Sequence, residues 1–299
     1  PSLDALLAAR ALSDVVGVVT QPDKPKGRGQ ETSFSPIKQL ALRAGVPIVQ
    51  PLKMKDPTFL ETLTSWKPDL ICVTAFGRIL PPVVLEMPPR GCINVHGSLL
   101  PAYRGAAPIQ WAVINGERET GITTMLMDAG MDTGPMLLSE RVTIGPNETS
   151  GELAARLAPI GGRLLVETIR QWIGGTLRPT KQDDGKATMA PMLKKEDGLL
   201  DWSQSAIALA NRVRGLSPWP GAYVEFGGTR LNIWRTAAET VTRPSAPGTV
   251  LAAEKTGILV ATGDGALRLL EVQAPGSRRM AARDYLAGHP IKMGTRLTA

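Results

Sequence analysis

The chain has 299 residues, 43% of them apolar and 20% charged, with 34 Lys and Arg against 27 Asp and Glu for a formal net charge of +7. That length suits about two domains; the composition is that of a soluble globular chain, and no apolar run reaches the ~20 residues a membrane-spanning helix needs. Cys72 and Cys92, both in strand-like runs, exclude a cysteine metal site and are expected as reduced core residues, and the opening PSLDALLAARALSDVV lacks the basic and apolar parts of a secretory signal, so a cytoplasmic location is expected.

Residues 3–12 have helical spacing, 15–19 (VVGVV) read as a strand, and 35–44 as a helix opened by Ser35 with Pro36 at its first position. A strand at 47–49, a helix at 57–66 and strands at 70–75 and 91–95 (GCINV) follow. Then come a helix at 109–115, a β run at 121–127 (GITTMLM) and a long helix at 150–173 capped by Ser150. This alternation predicts an α/β, Rossmann-like domain with a mainly parallel sheet and helices on both faces. Residues 174–200 are polar and turn-rich. After a helix near 203–214, short β runs at 222–226, 230–236, 248–252, 257–261 and 266–273 predict a smaller barrel or sandwich. The expected division is a domain over 1–174, a linker over 175–200 and a β domain over 201–299.

Polar chemistry concentrates in two loops. In NVHGSLLPAYRGAAP (94–108), Asn94 and His96 leave the end of a buried strand, and the carboxyl ends of strands are where open α/β sheets bind ligands. His96 is one of two histidines. The second loop, DAGMDTGPM (128–136), sets two carboxylates around Gly130 after another β run; it lacks the longer oxygen-ligand run and closing Glu of a calcium loop, and no metal is expected. Neither G-x-G-x-x-G nor G-x-S-x-G occurs, so a hydrolase reading with Ser98 as nucleophile lacks its elbow. The alternative is an oxyanion site. Asn94 donates through its amide and His96 through its imidazolium, while Asp132 orients and charges that ring.

Gly91 to Leu138 carries Asn-x-His, Ser-Leu-Leu-Pro and Asp-x-Gly-x-Asp-Thr-Gly in order, and resembles the catalytic region of the 10-formyltetrahydrofolate-dependent formyltransferases. The resemblance implies that Asn94, His96 and Asp132 are catalytic, that Ser98, Leu99, Leu100 and Pro101 line the folate site, and that the loop containing Asp128 helps hold the pterin. The segment 200–226, LDWSQSAIALANRVRGLSPWPGAYVEF, resembles the start of the C-terminal domain in the branch that formylates initiator methionyl-tRNA. That branch implies an OB-like barrel with a basic tRNA-binding face, for which Arg212, Arg214, Arg278, Arg279 and Arg283 are the candidates. From Asp201 onward twelve Lys and Arg stand against seven Asp and Glu, in keeping with such a face. Trp202, Trp219 and Trp234 are expected in the core. The loop 20–36 carries Lys24, Lys26 and Arg28; it resembles the family loop that enters the tRNA acceptor end, with Arg28 matching its functional arginine.

The implied activity is formyl transfer from 10-formyltetrahydrofolate to the α-amine of methionine on initiator tRNA, by a monomer with no membrane partner. Members of the family open with a strand and a turn before the first helix, whereas this chain starts at that helix, so the central strand is expected to be missing. That departure leaves a noncatalytic tRNA-binding derivative as an alternative. Formylation of a different amine is a third reading.

Overall fold

The computed structural model describes residues 1–26, 31–241 and 245–297, side chains at 24–26 and 31–33 excepted. Contacts divide the chain into two compact units. One comprises Pro1–Ala106, Gly121–Val142 and Ala155–Met189; the other comprises Ala107–Thr120, Thr143–Ala154 and Ala190–Ala299. The division expected along the chain follows sequence order, whereas these units follow packing, and they interleave. In particular, residues 175–189 of the expected linker belong to the first unit.

The first unit starts with α1 (Ser2–Ala8), β1 (Val18–Val19), a short hairpin of β2 (Lys24–Lys26) and β3 (Glu31–Ser33), α2 (Pro36–Arg43) and β4 (Ile48–Val49). The region 20–36, read from sequence as a flexible loop, therefore contains paired strands. Next come α3 (Pro57–Ser65), β5 (Ile71–Thr74), α4 (Pro82–Leu85) and β6 (Cys92–His96). Helices α2 and α3 begin as their sequences dictate: Ser35 and Asp56 accept the N–H of Lys38 and Phe59, and Pro36 and Pro57 occupy first-turn positions that need no donor.

After α5 (Pro108–Ile114), the strands β7 (Glu119–Leu126) and β8 (Met136–Thr143) complete the sheet order β5-β6-β7-β8. Strand β6 is parallel to β5 and antiparallel to β7. Strand β1 pairs in parallel with β4 as a separate piece, and among the described residues no strand joins the two pieces. A cavity of about 810 Å³ is lined by both, through Val18 and Val19 on one side and Ile71 to Thr74 on the other. Leu3 and Leu6 of α1 also line it, with Leu165 and Ile169 of α6 (Ser150–Ile173). Thr74 Oγ1 donates to Ser2 Oγ at 3.3 Å, so α1 begins beside the carboxyl end of β5. Cys72 and Cys92 are unbonded to each other; Cys92 is buried in the core, Cys72 is half-buried beside the cavity, and burial pushes both thiols up to about 12, which leaves them inert.

The second unit contains α7 (Ala206–Gly215), β9 (Ala222–Phe226), β10 (Thr229–Glu239), β11 (Val250–Glu254), β12 (Gly257–Ala261), β13 (Ala266–Gln273), β14 (Met280–Ala281) and α8 (Ala282–Gly288). Its antiparallel sheet has the order β11-β12-β13-β10-β9, with β14 beside β13. Leu209 and Val213 of α7 pack in one apolar core with Val224, Ile233, Ile258, Val260, Leu267 and Leu269. Each such fully buried side chain contributes roughly 1.5–3 kcal/mol. Trp202 joins this core, but Trp219 is 51% exposed and Trp234 is only partly buried. The core expectation holds for one of the three. Trp234 shares the outward parity of β10 with Arg230 and Asn232, opposite the inward Leu231 and Ile233.

Candidate active site

Asn94 and His96, two residues apart on β6, project to the same side of the strand. Asp132 meets both. Asn94 Nδ2 donates to Asp132 Oδ1 at 3.3 Å, and His96 Nδ1 lies 3.5 Å from Asp132 Oδ2. The backbone N–H of Gly105 donates to the same Oδ2 at 2.9 Å. His96 Nε2 lies 2.9 Å from the carbonyl of Tyr103, which can only accept, so Nε2 carries a proton there. The ring is 5% exposed and the carboxylate 16%, so these contacts are largely shielded from water.

The two carboxylates of the second loop have different tasks. Asp128 is exposed and turns back on its own loop, accepting from Gly130 N at 3.0 Å and Thr133 Oγ1 at 2.7 Å. Asp132 points out of the loop, and its backbone takes the left-handed conformation at φ 54°. Gly134 closes the turn. A Cβ there would lie 1.9 Å from the carbonyl oxygen of Leu126, so no larger residue fits without moving the strand.

The segment after His96 is a braced ledge. Ser98 Oγ donates to Ala102 O at 2.6 Å, and Thr123 of β7 accepts from Leu100 N at 3.1 Å while donating to Ser98 O at 2.8 Å. Ser98 and Thr123 are wholly buried. With its hydroxyl sealed in this way, Ser98 is no nucleophile. Leu100 is buried with it, and Leu99 and Pro101 are half-buried along the ledge.

The other sequence candidates lie apart from this cluster. Arg28 falls outside the described residues, and Lys24 and Lys26 lie in β2. The hairpin's base is held by Asp23, whose carboxyl stays below its usual range through hydrogen bonds from Lys38 and Gln50. In the second unit, Arg212 donates to Asp197 O at 2.5 Å, and Arg214 donates to Asn211, Gly145 O and Glu148 O. Their guanidinia are committed within the fold. Arg278 and Arg279 are exposed, with Arg279 stacked 3.3 Å from the centre of the Trp234 ring; Arg283 pairs with Asp284 at 3.3 Å. Sequence reasoning missed Arg230, stacked 3.8 Å from the Tyr223 ring on the same sheet, and missed Thr123, Arg104 and Gln182 around the site. Among the described residues no group of three or more His, Cys, Asp and Glu could hold a metal ion.

A strand-end amide, imidazole and carboxylate on an α/β sheet, followed by an antiparallel β unit, define a group-transfer enzyme. Residues 2–169 match the family model described as formyl transferase, and 192–290 the model described as formyl transferase, C-terminal domain. The chain belongs to the formyl transferase family. A Trichlorobacter lovleyi protein named methionyl-tRNA formyltransferase is 50% identical over 297 residues, covering 99% of this chain and 93% of that one. A Myxococcus xanthus protein of the same name is 48% identical, covering 98% and 94%. Among solved structures, the sugar 3N-formyl transferase WlaRD matches with a TM-score of 0.66 at 16% identity, covering 92% of this chain and 94% of that one. HypX from Aquifex aeolicus, in complex with tetrahydrofolic acid, matches at 0.60 and 19% identity, covering 86% and 47%. These two share the fold.

Proposed function

We propose that this chain transfers the formyl group of 10-formyltetrahydrofolate to the α-amine of methionine on initiator methionyl-tRNA. The observation that carries the chemistry is the convergence of Asn94, His96 and Gly105 on the Asp132 carboxylate at the end of β6. The acceptor is supported by similarity to the two bacterial relatives over nearly the whole chain.

In this reading the free amine attacks the formyl carbon and a C–N bond forms. The carbonyl oxygen takes the displaced electron pair; Asn94 donates to that oxyanion through the amide N–H that Asp132 does not engage, and His96 donates through Nε2–H, which bound substrate draws away from the Tyr103 carbonyl while Nδ1 stays on Asp132. Asp132 accepts a proton from the attacking nitrogen. The tetrahedral carbon then expels N10, which takes up a proton and leaves as tetrahydrofolate. One preorganised donor in such a site is worth about 3–4 kcal/mol. Leu99, Pro101 and the exposed loop around Asp128 border the folate, while Ser98 and Leu100 hold that border in place. A folate-type donor is supported by family membership.

The segment 20–36, whose sequence carries Lys24, Lys26 and Arg28, meets the acceptor end of the tRNA. The antiparallel unit, the proposed tRNA-binding domain, offers phosphate contacts through Arg278 and Arg279; Arg212 and Arg214 act as internal braces. The protein works as a cytoplasmic monomer. The test is formyl transfer from 10-formyltetrahydrofolate to methionyl initiator tRNA, beside an unrelated amine and a deacylated tRNA. Transfer to the charged initiator alone is expected. Transfer only to the other amine, or tRNA binding with no transfer, overturns the proposal.

A further inference from the structure

We infer that Gln182 and Arg104 form a buried brace that positions Asp132, making Gln182 a positioning residue of the reaction although it lies 50 residues away along the chain. This inference rests on the reading of Asp132 given above. Gln182 is 4% exposed and Arg104 6%. The side-chain amide of Gln182 donates to two backbone carbonyls of the second loop, Asp132 O at 2.8 Å and Gly134 O at 2.7 Å. Its own oxygen accepts from Arg104 Nε at 3.0 Å and Nη2 at 2.8 Å. Arg104 Nη2 also reaches Asp184 Oδ1 at 2.8 Å, and the N–H of Arg104 donates to Thr188 O at 2.8 Å.

Every hydrogen-bonding position of the Gln182 amide is thus used: two donors, and one oxygen with two partners. No other neutral side chain of that length supplies this set. The brace grips the peptide on either side of Thr133, where the chain passes through the left-handed conformation of Asp132. A non-glycine residue in that conformation is strained and persists only where its surroundings fix it. Fixing the backbone fixes where the carboxylate points, toward Asn94, His96 and Gly105. Arg104 orients the amide: its guanidinium cannot accept, so the Gln182 oxygen must face it and the NH₂ must face the loop. Gln182 touches the main chain of Asp132 and no reacting atom, so its effect on rate passes through Asp132.

Q182E keeps an acceptor for Arg104 but takes both donors from the two loop carbonyls; Q182L removes the whole set. Expected for Q182E is a kcat lower by about 10- to 100-fold, the range that misplacement of a reacting group produces, with KM for folate and tRNA within about 2-fold of wild type. In a D132N background the same change should cost less than about 2-fold, because the group it positions is already disabled. A loss of equal size in both backgrounds would reduce Gln182 to a structural residue and overturn the inference, as would an unchanged kcat. Q182L can fail to fold, and Q182E then carries the test. One readout needs no turnover. With only two histidines in the chain, the ring NMR signals of His96 and His289 can be told apart. Q182E should move the His96 resonances and leave those of His289 in place; an unmoved His96 signal overturns the brace. If the wild type transfers no formyl group but the His96 signal responds, the functional reading fails and the brace stands.

Discussion

The two ends of the first unit are built in opposite ways. Around Asp132 nearly every polar group has a named partner, and side chains from β6, β7 and residues 180–188 fasten the loops to one another. On the flank of β1 and β5, the sheet is in two pieces and apolar side chains line a cavity of about 810 Å³. The difference separates two requirements. The site's geometry is held locally by hydrogen bonds at the carboxyl end of β6, while the stability of the sheet depends on apolar contacts elsewhere. Changes at the site should therefore alter rate with little change in melting temperature, and changes at the cavity should do the reverse.

The sharpest test of the first half is His96→Ala or Asn94→Ala. Either should lower formyl transfer by about 100- to 1000-fold and leave tRNA affinity nearly unchanged, measured by single-turnover assay and filter binding. A turnover equal to that of wild type would remove these residues from the chemistry.

The second half is tested by joining an extended apolar segment of five or six residues to Pro1. Strands β1 and β5 both run in parallel sheets, and α1 starts beside Thr74, so a strand ending at Pro1 would feed α1 and then β1 as a strand–helix–strand crossover. Strands buried on both faces are continuously apolar, so Val and Ile suit it. The expected gain is on the order of 5 °C in melting temperature, with the same extension written in Ser and Gly giving none. Equal melting temperatures for the two extensions would show that the cavity accepts no strand.

A good part of the site was legible in the sequence, for a physical reason. Asn94 and His96 sit at the end of a β run and Asp132 follows another, so local pattern and strand-end chemistry were enough to bring them together. Gln182 was not legible, because nothing in RPTKQDDGK distinguishes a solvated turn from a buried amide; its role exists only through partners at Arg104, Asp132 and Gly134. Strand β8 was missed because Ser139, Glu140 and Arg141 interrupt the apolar pattern of MLLSERVT. Trp234 was misread as core because only the β10 register shows which parity faces outward, and an irregularity at Arg235 alters that register midway.

In the second unit, Arg279 over Trp234 and Arg230 over Tyr223 place two guanidinia on aromatic rings. A stacked arginine is held in a fixed place where its remaining N–H groups can meet phosphate. Replacing either with Ala should weaken tRNA binding a few-fold and reduce the slope of log affinity against log salt by about one. A slope equal to that of wild type would remove that arginine from the tRNA face. Formyl transfer at saturating tRNA should not change, because no residue of the first unit's site is altered.

The smallest expected effect concerns Glu239, at the end of β10. Arg268 of β13 donates to both of its oxygens, Nη2 to Oε2 at 2.9 Å, and these hydrogen bonds hold the carboxyl below its ordinary value. A carboxylate held low in the folded state stabilises the fold above the pH where the unfolded residue titrates, near 4.3. That stabilisation declines as the pH falls through the folded value. Glu239 is 35% exposed, so after solvent screening the pair is worth at most about 1 kcal/mol. Glu239→Gln should thus lower the melting temperature slightly at pH 7, and the gap from wild type should close as the pH is taken below about 4. A gap that stayed constant to pH 3 would mean that the pair's charge adds nothing and that Gln fails there for reasons of packing alone.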